Sequence, residues 1–331
     1  EIFIITVPTP LDKKINSNIP KPDISFVLDA AKKIAEVIKA KDLVIIESTC
    51  PVGTTKKVQS LIEKYSGIKK ENFYLACCPE RVIPGDILNE IKFNDRVIGG
   101  VNKKSSEKAR DFYSNFCLGK LLITDSKTAE LVKLTENSYR DVNIAFANEL
   151  SMICEKLEID CKKLINIANH HPRVNILNPG CGVGGHCIAV DPWFIASELP
   201  KQTQLIQTSR KVNNEKSNWV FKKIRKEIKL LEKKNKSKIN VGCLGLTYKP
   251  DADDLRESPA LNITNKLISE GFQILCCEPY VKSYKKINLV DINYINKNAD
   301  VIFILVAHSI FKSTNFKNKR VFDFCYALNN D

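Results

Sequence analysis

Residues 178–193 read NPGCGVGGHCIAVDPW, and the fold turns on what that loop is. Gly180, Gly182 and Gly185 give the spacing G-x-G-x-x-G of a dinucleotide-binding turn, and Cys187 follows two residues later. Such a turn works only between a strand and a helix N-terminus, whose N–H groups hold the pyrophosphate. Pro172 and Pro179 lie upstream with no apolar strand run between them. The loop therefore does not read as a phosphate turn. Its glycines read as backbone folded tightly around a ligand, and Cys187 becomes a candidate nucleophile.

On the N-terminal side of that loop, strand-like and helix-like runs alternate. IFIITV (2–7) and LVIIEST (43–49) are continuous apolar runs of the kind found in buried parallel sheets. Between them Val27, Leu28, Ala31, Ile34, Ala35 and Ile38 form a helical stripe. A helix from Thr54, strands near 73–77, 96–99 and 121–124, and a helix over 105–116 continue the pattern. The expectation is a parallel, doubly wound α/β region over 1–124. From Ala129 to about Leu157 the chain reads as one long helix, and shorter helices follow over 161–169 and near 203–216, giving a helical middle of 125–216. The last section, 217–331, has strands at 239–246, 272–278 and 301–306 with a helix over 259–270, a second α/β unit.

The composition narrows the function. With 44% hydrophobic residues the 331-residue chain is globular. Apolar runs such as Val301–Ala307 are too short to cross a bilayer, so no membrane association is expected. The twelve cysteines include no C-x-x-C pair, which argues against zinc or another metal; scattered thiols without an export signal point to a cytoplasmic protein with most cysteines in the core. The net charge of +13 suits polyanionic partners, whether nucleic acid, acidic lipid or phosphorylated small molecules. Nucleic acid is not expected, because the basic residues lack interleaved aromatics and any recognised module. The densest run, KKIRKEIKLLEKKNKSK (222–238), carries Ile224, Ile228 and Leu231 at helical spacing and reads as the wet face of an amphipathic helix.

The loop and six other stretches, in order along nearly the whole chain, resemble the UDP-glucose/GDP-mannose dehydrogenase family. They are TVPTP (6–10), ESTCPVGTT (47–55), CPERVIPGD (78–86), AELVKLTENSYRDVNIAFANEL (129–150), HHPRVNIL (170–177) and GLTYKPDADDLRESPA (245–260). The resemblance implies a Rossmann-like cofactor domain, a central helical dimerisation region and a second Rossmann-like UDP-binding domain. It also implies oxidation of a sugar primary alcohol to a carboxylate with reduction of two NAD⁺, through a cysteine thiohemiacetal and thioester. Cys187 matches the nucleophile. Lys133 and Asn137, four apart on one helix face, match the groups that move a proton and stabilise the oxyanion. Asp191 matches a residue that positions or deprotonates groups near the thiol, and Glu80 one tied to thioester hydrolysis. Thr6, Thr49 and Arg256 match cofactor contacts. Arg81, Val82, Arg140, His171, Arg173, Gly184, Tyr248 and Lys249 match substrate contacts, together with Lys133 and Asn137.

Val190 and Pro84 stand where the UDP-glucose branch carries a lysine and a second glutamate. PERVIPG (79–85) and GGHCIAVDPWF (184–194) instead resemble the UDP-N-acetylmannosamine branch, which implies UDP-N-acetyl-D-mannosamine as substrate, used in making surface polysaccharide precursors, with UDP-N-acetylglucosamine as its epimeric rival. A homodimer is expected through the central helix. Two departures bear on this. The family's Gly-rich cofactor turn would precede Glu1, so IFIITV is expected to be an exposed apolar edge, and the chain an N-terminally shortened form that could be inactive and merely bind UDP-sugar or dimerise. The chain also ends VFDFCYALNND, with no basic residue after Arg320 where the family carries one.

Overall fold

The computed structural model describes residues 1–12, 19–82, 86–285, 287–316 and 319–328. In chain order its elements are β1 (Ile2–Ile5), α1 (Ser25–Ala35), β2 (Leu43–Ile46), α2 (Thr54–Ser66), β3 (Tyr74–Cys77), α3 (Ile87–Phe93), β4 (Arg96–Gly100), α4 (Lys103–Tyr113), β5 (Leu121–Asp125), α5 (Ser126–Lys156), α6 (Cys161–Ala168), α7 (Asp191–Glu198), α8 (Gln204–Asn235), β6 (Asn240–Leu244), α9 (Pro259–Ser269), β7 (Gln273–Cys277), α10 (Ile292–Asn298), β8 (Val301–Ile304), α11 (Ser309–Lys312) and β9 (Arg320–Asp323). The chain divides into two compact units, Glu1–Ser138 with Val190–Gln204, and Tyr139–Ala189 with Leu205–Asp331.

The first unit is built on a sheet of order β1-β2-β3-β4-β5. β2 is buried at every position, and Val44 and Ile46 pack with Val27, Ala31, Val58 and Ile62 of α1 and α2. Each such fully buried aliphatic side chain contributes about 1.5–3 kcal/mol. The expectation of a wholly parallel sheet fails at one place: β4 runs antiparallel to β3, pairing Ala76 with Gly100. A parallel return needs a crossover helix packed on the sheet. The described part of the β3–β4 link holds only α3, seven residues with none buried, so the chain re-enters the sheet from the end at which it left. β1 pairs only with β2 and leaves Ile2 and Ile4 47% and 43% exposed.

The second unit carries an all-parallel sheet of order β7-β6-β8-β9. Val220, Ile224 and Ile228 of α8 pack on one face with Val241, Cys243 and Phe303; Leu244, Ile302, Ile304 and Phe311 lie in the core on the other. α8 joins the helix expected near 203–216 to the lysine-rich stretch and so runs through position 216, because no Gly or Pro interrupts 204–235. β9 had no sequence signal: four residues, RVFD, are too few to show a period. Eleven of the twelve cysteines are buried, and Cys187 is exposed. Among the described residues no helix is long and apolar enough to cross a membrane.

Candidate active site

In the first unit the site is organised by the opening turns of α5. Asp125 caps that helix, its carboxylate accepting from the N–H groups of Lys127 and Thr128 and from Thr128 Oγ1. Glu130, Lys133 and Asn137 then fall on one face at spacings of three and four. Glu130 is 2% exposed and accepts from Gly53 N at 2.5 Å, Thr55 N at 2.7 Å and Thr55 Oγ1 at 2.6 Å. It thus closes the N-terminus of α2, and burial holds its pKa above the usual carboxylate range despite those donors.

One helical turn beyond Lys133, Asn137 donates its Nδ2 to Asp191 Oδ2 at 2.5 Å. Asp191 begins α7, with Pro192 in the first turn, where a missing N–H costs nothing. The Asp191 carboxylate is buried. Burial drives its pKa to about 7, against the Asn137 hydrogen bond and the charge of Lys133. A carboxyl group that titrates near neutrality beside an ammonium and an amide can take or give a proton under ordinary conditions.

Glu80 sits past the end of β3. Its Oε1 accepts from Arg81 N and Val82 N, and its Oε2 from Arg96 Nη2 at 2.7 Å. Arg96 also reaches Glu47 and lies 4.6 Å from the Tyr113 ring centre, while Tyr113 donates to Glu47 at 2.5 Å. Glu80 is therefore no loose surface charge. Arg81 is turned to the protein itself, to Glu136 at 2.7 Å and to the Asp95 carbonyl. Val82 is half-buried. Pro84, which bears on the choice of sugar, lies outside the described residues.

Thr6 is exposed and Thr49 half-buried, in the loops at the carboxyl ends of β1 and β2, where open α/β sheets take their ligands. Thr9 Oγ1 donates to the Thr49 carbonyl, and Ser48 Oγ ties back to the Ile5 and Val7 carbonyls. The stretches 6–10 and 48–55 carry no charged side chain, which fits the nicotinamide end of NAD. The α2 N-terminus does not fit the pyrophosphate, because the Glu130 carboxylate already holds its N–H groups.

In the second unit, residues 178–189 are pinned from behind. Gly180 N donates to Asn148 Oδ1, Asn148 Nδ2 to Asn213 Oδ1, Asn213 Nδ2 to Asp141, and Arg210 Nη1 to Asp141 at 2.6 Å; Ser217 Oγ donates to the Cys181 carbonyl. Two of the loop's glycines also pack closely against the protein: a Cβ on Gly184 would lie 2.5 Å from the Glu257 carbonyl oxygen, and one on Gly185 2.7 Å from the Tyr248 ring, whereas one on Gly180 would meet nothing within 4 Å. No strand precedes the loop, as the reading against a pyrophosphate turn requires.

Cys187 emerges from this loop into a charged neighbourhood. Burial raises the Tyr248 pKa, Asp254 and Cys187 add to it, and Arg256 and Arg140 oppose it. Arg256 grips Asp254, with Nε at 2.9 Å and Nη2 at 2.7 Å. Lys249 Nζ lies 6.0 Å from the Tyr248 ring centre, and Arg140 is exposed. His171 and Arg173 are exposed in one turn, Arg173 N donating to His171 Nδ1. Glu130, Arg96, Asp254 and the Asp141–Arg210 pair escaped the sequence reading. All but Asp254, which is two residues from Arg256, have partners 16 to 77 residues away, beyond any spacing rule.

Models of the UDP-glucose/GDP-mannose dehydrogenase family match three stretches: its NAD binding domain at residues 1–117, its central domain at 127–215 and its UDP binding domain at 242–330. A UDP-N-acetyl-D-mannosamine dehydrogenase of Campylobacter jejuni is 46% identical over 98% of this chain and 81% of its own length. An NDP-N-acetyl-D-galactosaminuronic acid dehydrogenase of Ralstonia solanacearum is 42% identical over 94% and 74%. The solved UDP-N-acetyl-mannosamine dehydrogenase of Staphylococcus aureus superposes with a TM-score of 0.88 at 40% identity, over 100% of this chain and 78% of that one. The chain belongs to the UDP-glucose/GDP-mannose dehydrogenase family, whose NAD binding, central and UDP binding domains it carries in that order.

Proposed function

We propose that this chain oxidises the primary alcohol of UDP-N-acetyl-D-mannosamine to the carboxylate, with NAD as electron acceptor. The observation that carries the reading is Asp191. It is buried, bonded to Asn137, set to titrate at about 7, and stands four residues after the exposed cysteine. Bound NAD supplies the oxidant for both two-electron stages, with Thr6, Thr49 and Arg256 as its contacts. Cys187 Sγ bonds the carbonyl carbon and carries the acyl group until water releases it. Lys133 and Asn137 stabilise charge on the substrate oxygen, Asp191 takes up the proton, and Glu80 directs the hydrolytic water. Arg81, Val82, Arg140, His171, Arg173, Gly184, Tyr248 and Lys249 hold the UDP-sugar, the cationic ones suiting its diphosphate.

The same reading includes the three-part division at 124/125 and 216/217, a cytoplasmic site of action and a homodimer. For the dimer, α5 leaves Tyr139, Phe146 and Ile153 exposed at intervals of seven residues, the repeat of a helix–helix seam. The test is NADH formation with UDP-N-acetyl-D-mannosamine, alongside UDP-N-acetylglucosamine and UDP-N-acetylgalactosamine. Preference for the mannosamine sugar supports the proposal; preference for either other sugar reassigns the substrate, and no turnover with any of them removes the activity.

A further inference from the structure

We propose that the buried Glu278–His308 pair is a positioning device that holds the loop 246–251 so that Tyr248 and Lys249 are presented to the UDP diphosphate. The proposal rests on the reading above, in which those two residues bind UDP.

Glu278 follows β7, the second strand of its βαβ unit. From that place an acidic side chain reads the ribose in dinucleotide-binding sheets. Here it turns inward. Its Oε2 accepts from Leu246 N at 2.6 Å and Thr247 N at 3.1 Å, the N–H groups just past Gly245, and its Oε1 accepts from Tyr280 N. The side chain is 0% exposed. A carboxylate so deeply buried persists as an ion only when its oxygens are filled. Burial pushes its pKa up, but His308 and the N–H donors outweigh that and hold it below the usual range.

His308 follows β8, the neighbouring strand end, and is also 0% exposed. Its Nδ1 accepts from Asp251 N at 2.9 Å, so the ring proton sits on Nε2, which is 3.1 Å from Glu278 Oε2 and 3.3 Å from Thr247 Oγ1. Tyr280 and Phe311 pack on the ring with centroids 5.0 and 5.3 Å away. Thr247 Oγ1 in turn donates to the Lys249 carbonyl at 3.0 Å. Asp251 takes the left-handed φ of 53°, and its Oδ1 accepts from Tyr280 Oη, Ser309 N and Ser309 Oγ.

The backbone at 246, 247, 249 and 251 is thus bonded inward from two strand ends, while the side chains of Tyr248 and Lys249 stay half-buried, Tyr248 with its ring beside Gly185 of the loop that carries Cys187. A left-handed non-glycine persists where its surroundings over-determine it, and such positions cluster at binding loops.

The test compares wild type, His308→Phe and His308→Gln by calorimetric titration with UDP, and by hydrogen exchange of the 246–257 segment. Phe keeps the ring packing but offers Asp251 N no acceptor and Glu278 no donor. Gln supplies both. The Phe variant is expected to bind UDP about tenfold more weakly and exchange faster, and Gln to restore affinity to within about threefold. Wild-type affinity in the Phe variant overturns the proposal, as does a Gln variant as weak as Phe. Should the Phe variant not fold, Thr247→Val removes the strap to Lys249 with the same expected direction, and unchanged affinity there overturns it equally. A wild-type chain that does not bind UDP removes the functional reading itself, before any variant is compared.

Discussion

The two units place their reactive groups in opposite surroundings. In the first, Asp191, Asn137 and Glu130 are no more than 5% exposed and bonded within the protein. In the second, Cys187, Arg140 and Arg256 stand at the surface on a loop and two segments that carry charge. Burial sets the proton affinity of a group, while exposure leaves it free to meet a ligand. The first unit therefore fixes proton affinities before any ligand arrives. The second fixes backbone, through the Asn148–Gly180 and Glu278–Leu246 hydrogen bonds, and leaves its side chains to be completed by what binds.

The sharpest break in that comparison comes from Cys187→Ser. An exposed side chain contributes little to folding, so stability should stay within about 0.5 kcal/mol of wild type. If Cys187 carries the acyl group as proposed, carboxylate formation should fall on the order of 10³-fold or more. Steady-state rates beside a thermal melt check both halves.

Asp191→Asn probes the other side. The folded Asp191 carboxyl titrates near 7 and an unfolded one near 3.8. Between those values the folded protein keeps a proton that the unfolded chain has lost, so stability falls as pH rises through that window, by at most on the order of 4 kcal/mol. Urea midpoints from pH 4 to 8 should slope downward in wild type and flatten in Asp191→Asn. The rate constant kcat should drop about 10²-fold or more as the proton acceptor is lost.

What could be read in advance follows the same divide. The α5 helix was legible to within three residues because 126–156 holds neither Gly nor Pro, and the β2 and β8 runs are apolar throughout. The direction of β4 was not, since a strand's sequence does not say which way its neighbour runs. The separate helix near 203–216 dissolved into α8 for want of any breaker. Lys133, Asn137, Cys187 and Asp191 lie in local motifs. What holds them does not: Asn137 meets Asp191 across 54 positions, and Glu130 meets Thr55 across 75. Arg256 shows that even a short separation can hide a pair: its partner Asp254 lies two residues back, while Glu257 is its immediate neighbour.

Glu130→Gln tests whether burial in the first unit serves stability as well as chemistry. A carboxamide offers one acceptor oxygen, and its NH₂ would face a donor that the carboxylate now satisfies. With three bonds at stake the expected loss is about 2 kcal/mol, read as a lower urea midpoint with unchanged slope. A loss in kcat beyond that, at temperatures where the variant is folded, would locate Glu130 in the placement of Thr49 and Lys133 as well.

The smallest effect is expected in the second unit, at Asp254→Asn. Arg256 is 67% exposed in its side chain and Asp254 20%, so water screens their attraction; such pairs are worth about 0–1 kcal/mol. The melting temperature should move by less than about 3 °C. What the carboxylate does provide is a two-point grip on a guanidinium that would otherwise sample many rotamers. Asparagine keeps one oxygen for Arg256 but loses the second bond and the charge. If Arg256 meets the cofactor, the KM for NAD should rise about threefold while kcat and the melt stay put, since only the ordering of one exposed side chain has changed. A KM that does not move would make the pair an ordinary surface ion pair, and would mean that the second unit orders its exposed residues only through the backbone beneath them.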